Sequence, residues 1–201
     1  MTTLEVWNFA LGQIPHDKRV KSVDENSTEA LRCRDNWEVA RRKVLGAHAW
    51  TFAVDELACE GAMLRTARGA RWRYPKPAGA LRSLGLFWDD AGRSDLLFRA
   101  RGGMRQLPAL GLGGALSARE PRAIILFIRD IEDVVEFPED VAEAAGWELA
   151  ALVCPLMSGG ADGAARLEAR AALALQTAIG HDADTVEDSG SDGMEFVRAR
   201  D

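Results

Sequence analysis

The chain has 201 residues, of which 47% are hydrophobic and 28% are charged, and its formal net charge is −6. This length and composition fit one globular domain with its own core, or one domain that carries an insert. The sequence contains no run of eighteen apolar residues and does not begin with the basic and apolar pattern of a secretory signal. We therefore predict no membrane span and expect folding and assembly in the cytoplasm.

The negative charge is concentrated at the C-terminus. From residue 182 to residue 201 there are seven acidic residues and two arginines, so this segment carries −5 and the rest of the chain carries only −1. A body so close to neutral has no basic surface to hold a phosphate backbone. Tight nucleic-acid binding is therefore not expected.

Two helices are predicted in the first 48 residues. Thr2 and Glu5 have the spacing of a capping box, which favours a helix over residues 3–13 that ends before Pro15. A second helix is predicted from about Ser27 to Gly46. Its apolar residues recur at spacings of three and four, as one buried face requires: Ala30, Cys33, Trp37, Ala40 and Val44.

The segment from residue 49 to residue 137 favours β structure. Five short β-favouring runs are separated by turns rich in Gly, Pro and Asp. These runs are residues 50–54, 72–74, 84–88, 95–99 and 123–129. The most apolar part, Ile124–Ile128, is typical of a strand that is covered on both faces. The Gly- and Leu-rich stretch from Arg101 to Ser117 is predicted to be a mobile loop.

Helix is predicted again after Pro138, a residue that suits the first helical position. The apolar stripe of this helix ends at Gly159-Gly160, and an alanine-rich helix follows from about Asp162 to Ile179. Beyond Gly180 the chain is acidic and weakly hydrophobic, which is typical of a segment that stays unfolded until it binds a partner.

These elements predict an α+β fold with three parts. Residues 1–48 and 138–180 would form an antiparallel helical bundle made of an N-terminal and a C-terminal helix pair. Residues 49–137 would form a small inserted β lobe. Residues 181–201 would form a flexible acidic tail.

The sequence contains no recognisable pattern for catalysis, for a cofactor or for a metal. The histidines are scattered and the cysteines have no CxxC spacing, so neither a zinc site nor a disulfide framework is indicated. These residues are His16, His48, His181, Cys33, Cys59 and Cys154. Cys33 and Cys154 lie in helical patterns and are predicted to be buried thiols. The stretch from Gly111 to Gly114 lacks the Lys-Ser/Thr of a phosphate-binding loop. We predict that the protein is not an enzyme and has no cofactor and no metal.

Tryptophan is unusually common, with six residues against one tyrosine. Three tryptophans fall on predicted helices and three lie around the β segment: Trp7, Trp37, Trp147, Trp50, Trp72 and Trp88. Burial in the bundle and at the junction of bundle and lobe would explain them, and so would anchoring at an interface. The sequence leaves both interpretations open.

Five short motifs follow one another along residues 4–180. They are Trp7–Pro15, Ser27–Arg34, Ala47–Ala53, Tyr74–Arg82 and Phe127–Asp133, the last ahead of a helix that contains Cys154-Pro155-Leu156. In this order they resemble the tail tubular protein A family of podoviruses, which are phage head-to-tail adaptors, or connectors.

The resemblance implies a structural virion protein of the tail or neck, assembled in the host cytoplasm. Such a protein forms a ring of identical subunits, usually twelve, between the portal protein and the tail nozzle or tail tube. The bundle would dock subunits side by side and to the portal, and the β lobe would face the next tail component. DNA would pass through during ejection without specific binding, because negatively charged walls repel phosphate.

The acidic C-terminal segment is the candidate partner-binding site. The resemblance implies that it reaches toward the portal, and we hypothesise that it becomes ordered on docking there, with two apolar anchors among its charges. The candidate residues are Asp182, Asp184, Glu187, Asp188, Phe196 and Val197. One alternative is another phage connector or tail completion protein. A second, outside virion assembly, is an enzyme or small-ligand-binding module that uses the Trp-lined junction of bundle and lobe.

Overall fold

A computed structural model of the chain describes residues 1–15, 18–66, 69–87, 110–112, 115–119, 121–157 and 160–198. At residues 64–66, 69–70, 110–112, 115, 161 and 186–198 the description covers the backbone alone. Within these residues the fold is α+β, with four α-helices and two small antiparallel sheets. The chain divides into two compact units, one formed by Met1–His48 and Ile131–Asp201 and the other by Ala49–Asp130.

The first unit is helical. Its helices are α1 (Thr3–Gly12), α2 (Thr28–Ala47), α3 (Glu139–Met157) and α4 (Ala161–Arg198), and a short 3-10 helix at Val134–Glu136 precedes α3. Helix α3 packs against each of the other three helices, and most of its residues are buried. Helix α3 is therefore the centre of this unit. No helix in the described part of the chain is both long and apolar enough to cross a membrane.

The predicted capping box at the start of α1 is confirmed. The Thr2 hydroxyl accepts a hydrogen bond from the Glu5 backbone N–H at 3.3 Å, and the Glu5 carboxylate accepts one from the Thr2 backbone N–H at 2.6 Å. Helix α2 begins with a single N-cap hydrogen bond, in which the Ser27 hydroxyl accepts from the Ala30 backbone N–H at 3.3 Å. Both caps satisfy backbone donors that have no partner within their helices.

Helix α1 lies very close to α3 at Gly146. A Cβ atom at this position would lie 2.6 Å from Cδ1 of Phe9 and 3.5 Å from Cγ1 of Val6. The Phe9 ring also meets the Trp147 ring edge to face, with centroids 5.4 Å apart and planes at 90°. Only glycine fits at residue 146 without displacing the Phe9 ring.

The polar segment between α1 and α2 is held to α1 by one side chain. The Asn8 amide donates to the Val20 carbonyl oxygen at 2.8 Å, and its oxygen accepts from the Val20 N–H at 2.9 Å. The Val20 side chain is buried in the core of the helical unit. Arg34 of α2 adds a hydrogen bond to the Val23 carbonyl oxygen at 2.6 Å.

The second unit contains seven strands in two sheets. They are β1 (Val54–Glu60), β2 (Ala62–Thr66), β3 (Gly69–Tyr74), β4 (Ala80–Phe87), β5 (Leu110–Leu112), β6 (Ala115–Ala118) and β7 (Arg122–Arg129). The strand order is β1-β7-β4 in one sheet and β2-β3-β6-β5 in the other, and every pair is antiparallel.

Strand β7 is the centre of the three-stranded sheet. Residues 123–128 are buried without interruption, so the prediction of a strand covered on both faces is confirmed. Alternate residues on one of these faces, Ile125 and Phe127, pack in a cluster with Tyr74 of β3. This cluster joins the two sheets.

The structure corrects three element boundaries. Residues 50–53 form a turn rather than the start of a strand, because the backbone N–H groups of Ala53 and Val54 both donate to the Trp50 carbonyl oxygen. Residues 131–137, predicted in the β lobe, belong to the helical unit, where the buried Arg41 guanidinium donates to the Ile131 carbonyl oxygen. The stretch predicted as a loop from Arg101 to Ser117 contains β5 and most of β6.

The predicted end of the last helix is also wrong. Helix α4 continues without a break from Ala161 to Arg198, so the backbone of residues 181–198 is helical rather than a flexible tail. The first turn after Ile179, where the helix was predicted to end, contacts the other helices through His181 and Asp182. The predicted strand at residues 95–99 lies outside the described residues, as do Trp88 and His16.

Candidate functional site

Helix α4 extends past the helices on which it packs. Leu167, Ala171 and Ala178 lie on its core-facing side and are buried. Thr185 lies on the same side two turns after Ala178, and it is exposed. Among the residues of α4 whose side chains are described, Ala178 is therefore the last one that is buried on this side. We call residues 183–198 the α4 arm; at 1.5 Å per residue it is about 24 Å long.

Two histidine–carboxylate pairs lie where the α4 arm begins. Nδ1 of His181 is 3.1 Å from Oδ2 of Asp140, in the first turn of α3. Oδ2 of Asp182 is 3.2 Å from Nε2 of His48, the residue that caps the C-terminus of α2. Two consecutive residues of α4 thus contact two different helices.

The two pairs differ in their exposure to solvent. The Asp182 side chain is only 9% exposed and that of His48 is 31% exposed, whereas the His181 side chain is 63% exposed. An exposed polar contact contributes little because water competes for both groups, while a shielded contact loses less to this competition. The pair of His48 and Asp182 is therefore the stronger of these two attachments.

Carboxylates predominate in the sequence around the start of α3. No Lys or Arg occurs between Arg129 and Arg166. The segment from Glu132 to Glu143 carries six acidic residues, all at least partly exposed. Acidic groups near the N-terminus of α3 stabilise this helix through its dipole. The imidazole of His181 contacts one of these groups, the Asp140 carboxylate.

The predicted partner-binding residues divide into three groups. Asp182 contacts His48 within the helical unit, and Asp184 is exposed on α4. The other four have helical backbones, and their side chains lie outside the described residues: Glu187, Asp188, Phe196 and Val197. Sequence reasoning missed both histidine–carboxylate pairs, because their members are 134 and 41 residues apart and no local spacing connects them.

Two cysteine thiols, those of Cys33 and Cys59, lie in environments that suppress their reactivity. Burial, together with the nearby Glu29 carboxylate, raises the pKa of the Cys33 thiol to about 12. Burial also raises the pKa of the Cys59 thiol. Because the thiolate is the nucleophilic form, both side chains are poor nucleophiles near neutral pH. Cys33 and Cys154 are buried, as predicted. The described residues contain no group of three His, Cys, Asp or Glu side chains that could hold a metal ion.

Buried charges in the helical unit are paired. Glu148 of α3 is buried and forms an ion pair with Lys43 of α2. The buried Glu29 carboxylate lies 3.6 Å from the Lys18 ammonium group. A buried charge is destabilising without a partner, so these contacts fix α2 against its neighbours.

The five described tryptophans are buried or partly buried. Trp7 is buried in the core of the helical unit, and Trp37 and Trp147 pack against that core while partly buried. In the β unit, Trp50 is fully buried beside Phe52, and Trp72 packs against the cluster that joins the sheets. Packing is therefore the role that the structure shows for these five side chains.

No protein-family model matches this chain, and no curated protein matches it. The basis for a functional assignment is therefore the geometry described above together with the order of motifs in the sequence.

Proposed function

We propose that this protein is a structural head-to-tail adaptor of a bacteriophage. In this proposal about twelve copies form a ring between the portal protein and the tail nozzle or tail tube, in the tail or neck of the virion. DNA passes through the ring without specific binding. The protein is an assembly component and not an enzyme.

The observation that carries the proposal is the α4 arm. An isolated helix of this length is marginally stable in water, and glycines at positions 190 and 193 lower the intrinsic helix propensity of the α4 arm further. Such an arm gains stability by burying surface against another molecule. An adaptor needs an element of this kind, because it must join components that lie on either side of it.

The other parts of the chain have roles in the same proposed assembly. We assign the antiparallel bundle, made of the N-terminal and C-terminal helix pairs, to contacts with neighbouring copies and with the portal. The inserted β lobe would face the next tail component. The near-neutral charge outside residues 182–201 and the suppressed reactivity of Cys33 and Cys59 agree with a scaffold rather than a catalyst.

The truncation that tests the proposal ends at Asp182. This variant lacks the α4 arm but keeps both histidine–carboxylate pairs, so the helical unit should retain its thermal unfolding midpoint. The full-length chain mixed with the portal protein of its own phage should form a ring of about twelve copies of the 21.9 kDa chain, as seen by native mass spectrometry and negative-stain microscopy. The truncated chain should bind the portal much more weakly.

Other results would contradict the proposal in recognisable ways. Absence of the protein from purified virions would exclude a structural role. A ring that forms on a different tail component would indicate another connector or tail completion protein. Turnover of a small substrate at a defined pocket would indicate an enzyme, and equal portal binding by the truncated chain would exclude the α4 arm as the docking element.

A further inference from the structure

Gly180 is a glycine that packing does not require. It lies inside α4, and an added Cβ atom there would have no atom of the described structure within 4 Å. Gly146, in contrast, cannot gain a Cβ atom without displacing Phe9. Glycine in a helix interior weakens the helix because it loses more conformational freedom on folding than any other residue. Gly180 is therefore a weak point of α4 with no compensating contact.

This weak point lies at the boundary between the packed part of α4 and the α4 arm. Ala178, two residues before it, is completely buried, and Thr185, five residues after it, is exposed although it lies on the core-facing side. The two residues that follow Gly180 are His181 and Asp182, which contact α3 and α2. The side-chain attachments thus lie in the turn that contains Gly180.

We propose that Gly180 and the two histidine–carboxylate pairs form a hinge with a latch. While the pairs are closed, α4 is one continuous helix. When they open, the turn at Gly180 unwinds locally and the α4 arm changes direction relative to the helical unit. This motion belongs to the isolated chain and does not depend on the proposed function.

The geometry favours local opening over unfolding of the whole unit. Opening of the two pairs releases the side chains of His181 and Asp182 from the helical unit. It leaves the buried residues Leu167, Ala171 and Ala178 in place. Segments with few buried contacts open independently of the core in this way. The pair of His181 and Asp140 is exposed and weak, so most of the latch resides in the contact of Asp182 with His48.

The test is amide hydrogen exchange of the full-length chain, measured by mass spectrometry. We expect Asp182→Ala to speed exchange in the peptide that covers residues 180–190 by about fivefold, and Asp140→Asn to speed it about twofold. Asp184→Ala is the matched control, because it removes an exposed carboxylate two residues away; we expect little change. Exchange in α3 beyond its first turn should be the same in all variants.

Gly180→Ala tests the hinge itself. This change should slow exchange in the same peptide about threefold and should reduce the effect of Asp182→Ala when the two are combined. Equal exchange in Asp182→Ala and Asp184→Ala would overturn the latch. Unchanged exchange in Gly180→Ala would overturn the hinge. If Asp182→Ala destabilises α3 as well, the pair is part of the global fold and the proposal is wrong. If that variant does not fold, the milder Asp140→Asn decides the latch by the same comparison.

Discussion

Replacement of Gly146 by alanine tests the close approach of α1 and α3. The new Cβ atom would lie 2.6 Å from Cδ1 and 3.1 Å from Cε1 of Phe9. These atoms belong to a rigid ring that Trp147 meets edge to face, so the ring cannot turn aside without losing that contact. The two helices must move apart, or the ring must leave its position.

The expected magnitude follows from two opposing effects. Overpacking of a core costs about 1–3 kcal/mol, while alanine in place of glycine inside a helix gains about 1 kcal/mol. We therefore expect Gly146→Ala to lower the free energy of unfolding by about 1 kcal/mol. Gly180→Ala is the matched control, because the same atom enters open space. That variant has only the favourable effect.

Urea denaturation followed by circular dichroism measures both variants, and a third variant identifies the clash. Phe9→Leu removes the ring, so Gly146→Ala should be less destabilising in a Phe9→Leu background than in the wild-type background. The reasoning would be refuted if Gly146→Ala were as stable as Gly180→Ala. It would also fail if Phe9→Leu and Gly146→Ala had additive effects.

Three other predictions concern the stability of the helical unit. Asn8→Ala removes both hydrogen bonds to the following loop and should lower the free energy of unfolding by about 1–3 kcal/mol, measured by urea denaturation. Lys43→Met leaves the buried Glu148 carboxylate without the Lys43 ammonium group, so it should lower the free energy of unfolding by about 1–3 kcal/mol in the same assay. The control is Arg42→Met, which removes an exposed ion pair and should lower the free energy of unfolding by less than about 0.5 kcal/mol. Because the pKa of Cys33 is about 12 in the folded chain and its ordinary value is 9.0, the unfolded chain loses this proton first as the pH rises. Stability should therefore fall between about pH 9 and pH 12, and Cys33→Ala should show a smaller fall.

Local patterns in the sequence were sufficient to predict many of the elements. The capping box of Thr2 and Glu5 depends on residues three positions apart, and the buried run of β7 depends on neighbours in the chain. Both signals lie within a single element, and the structure confirms both. The mixed α+β class also follows, because the apolar spacing changes from a helical pattern to short apolar runs and back again.

Contacts between distant residues could not be predicted in the same way. Residues 131–137 belong to the helical unit partly through the contact of Arg41 with the Ile131 carbonyl oxygen, which joins residues 90 positions apart. Nothing in the local sequence distinguishes this segment from the end of the preceding strand. Composition alone also led to the prediction of an unfolded segment at residues 181–198, because acidic residues and glycines favour one, whereas the backbone there is helical.

The structure changes which residues of the acidic segment are available to a partner. Asp182 belongs to the candidate set defined from the sequence, yet its carboxylate is largely shielded and contacts His48. A partner that bound Asp182 would have to break this contact and expose both groups to a new environment, which costs free energy that a freely exposed carboxylate does not. Asp184 has no such cost, because its side chain is exposed. In the proposed assembly, partner contacts of this segment should therefore begin at Asp184, whereas the Asp182 carboxylate stays in contact with His48.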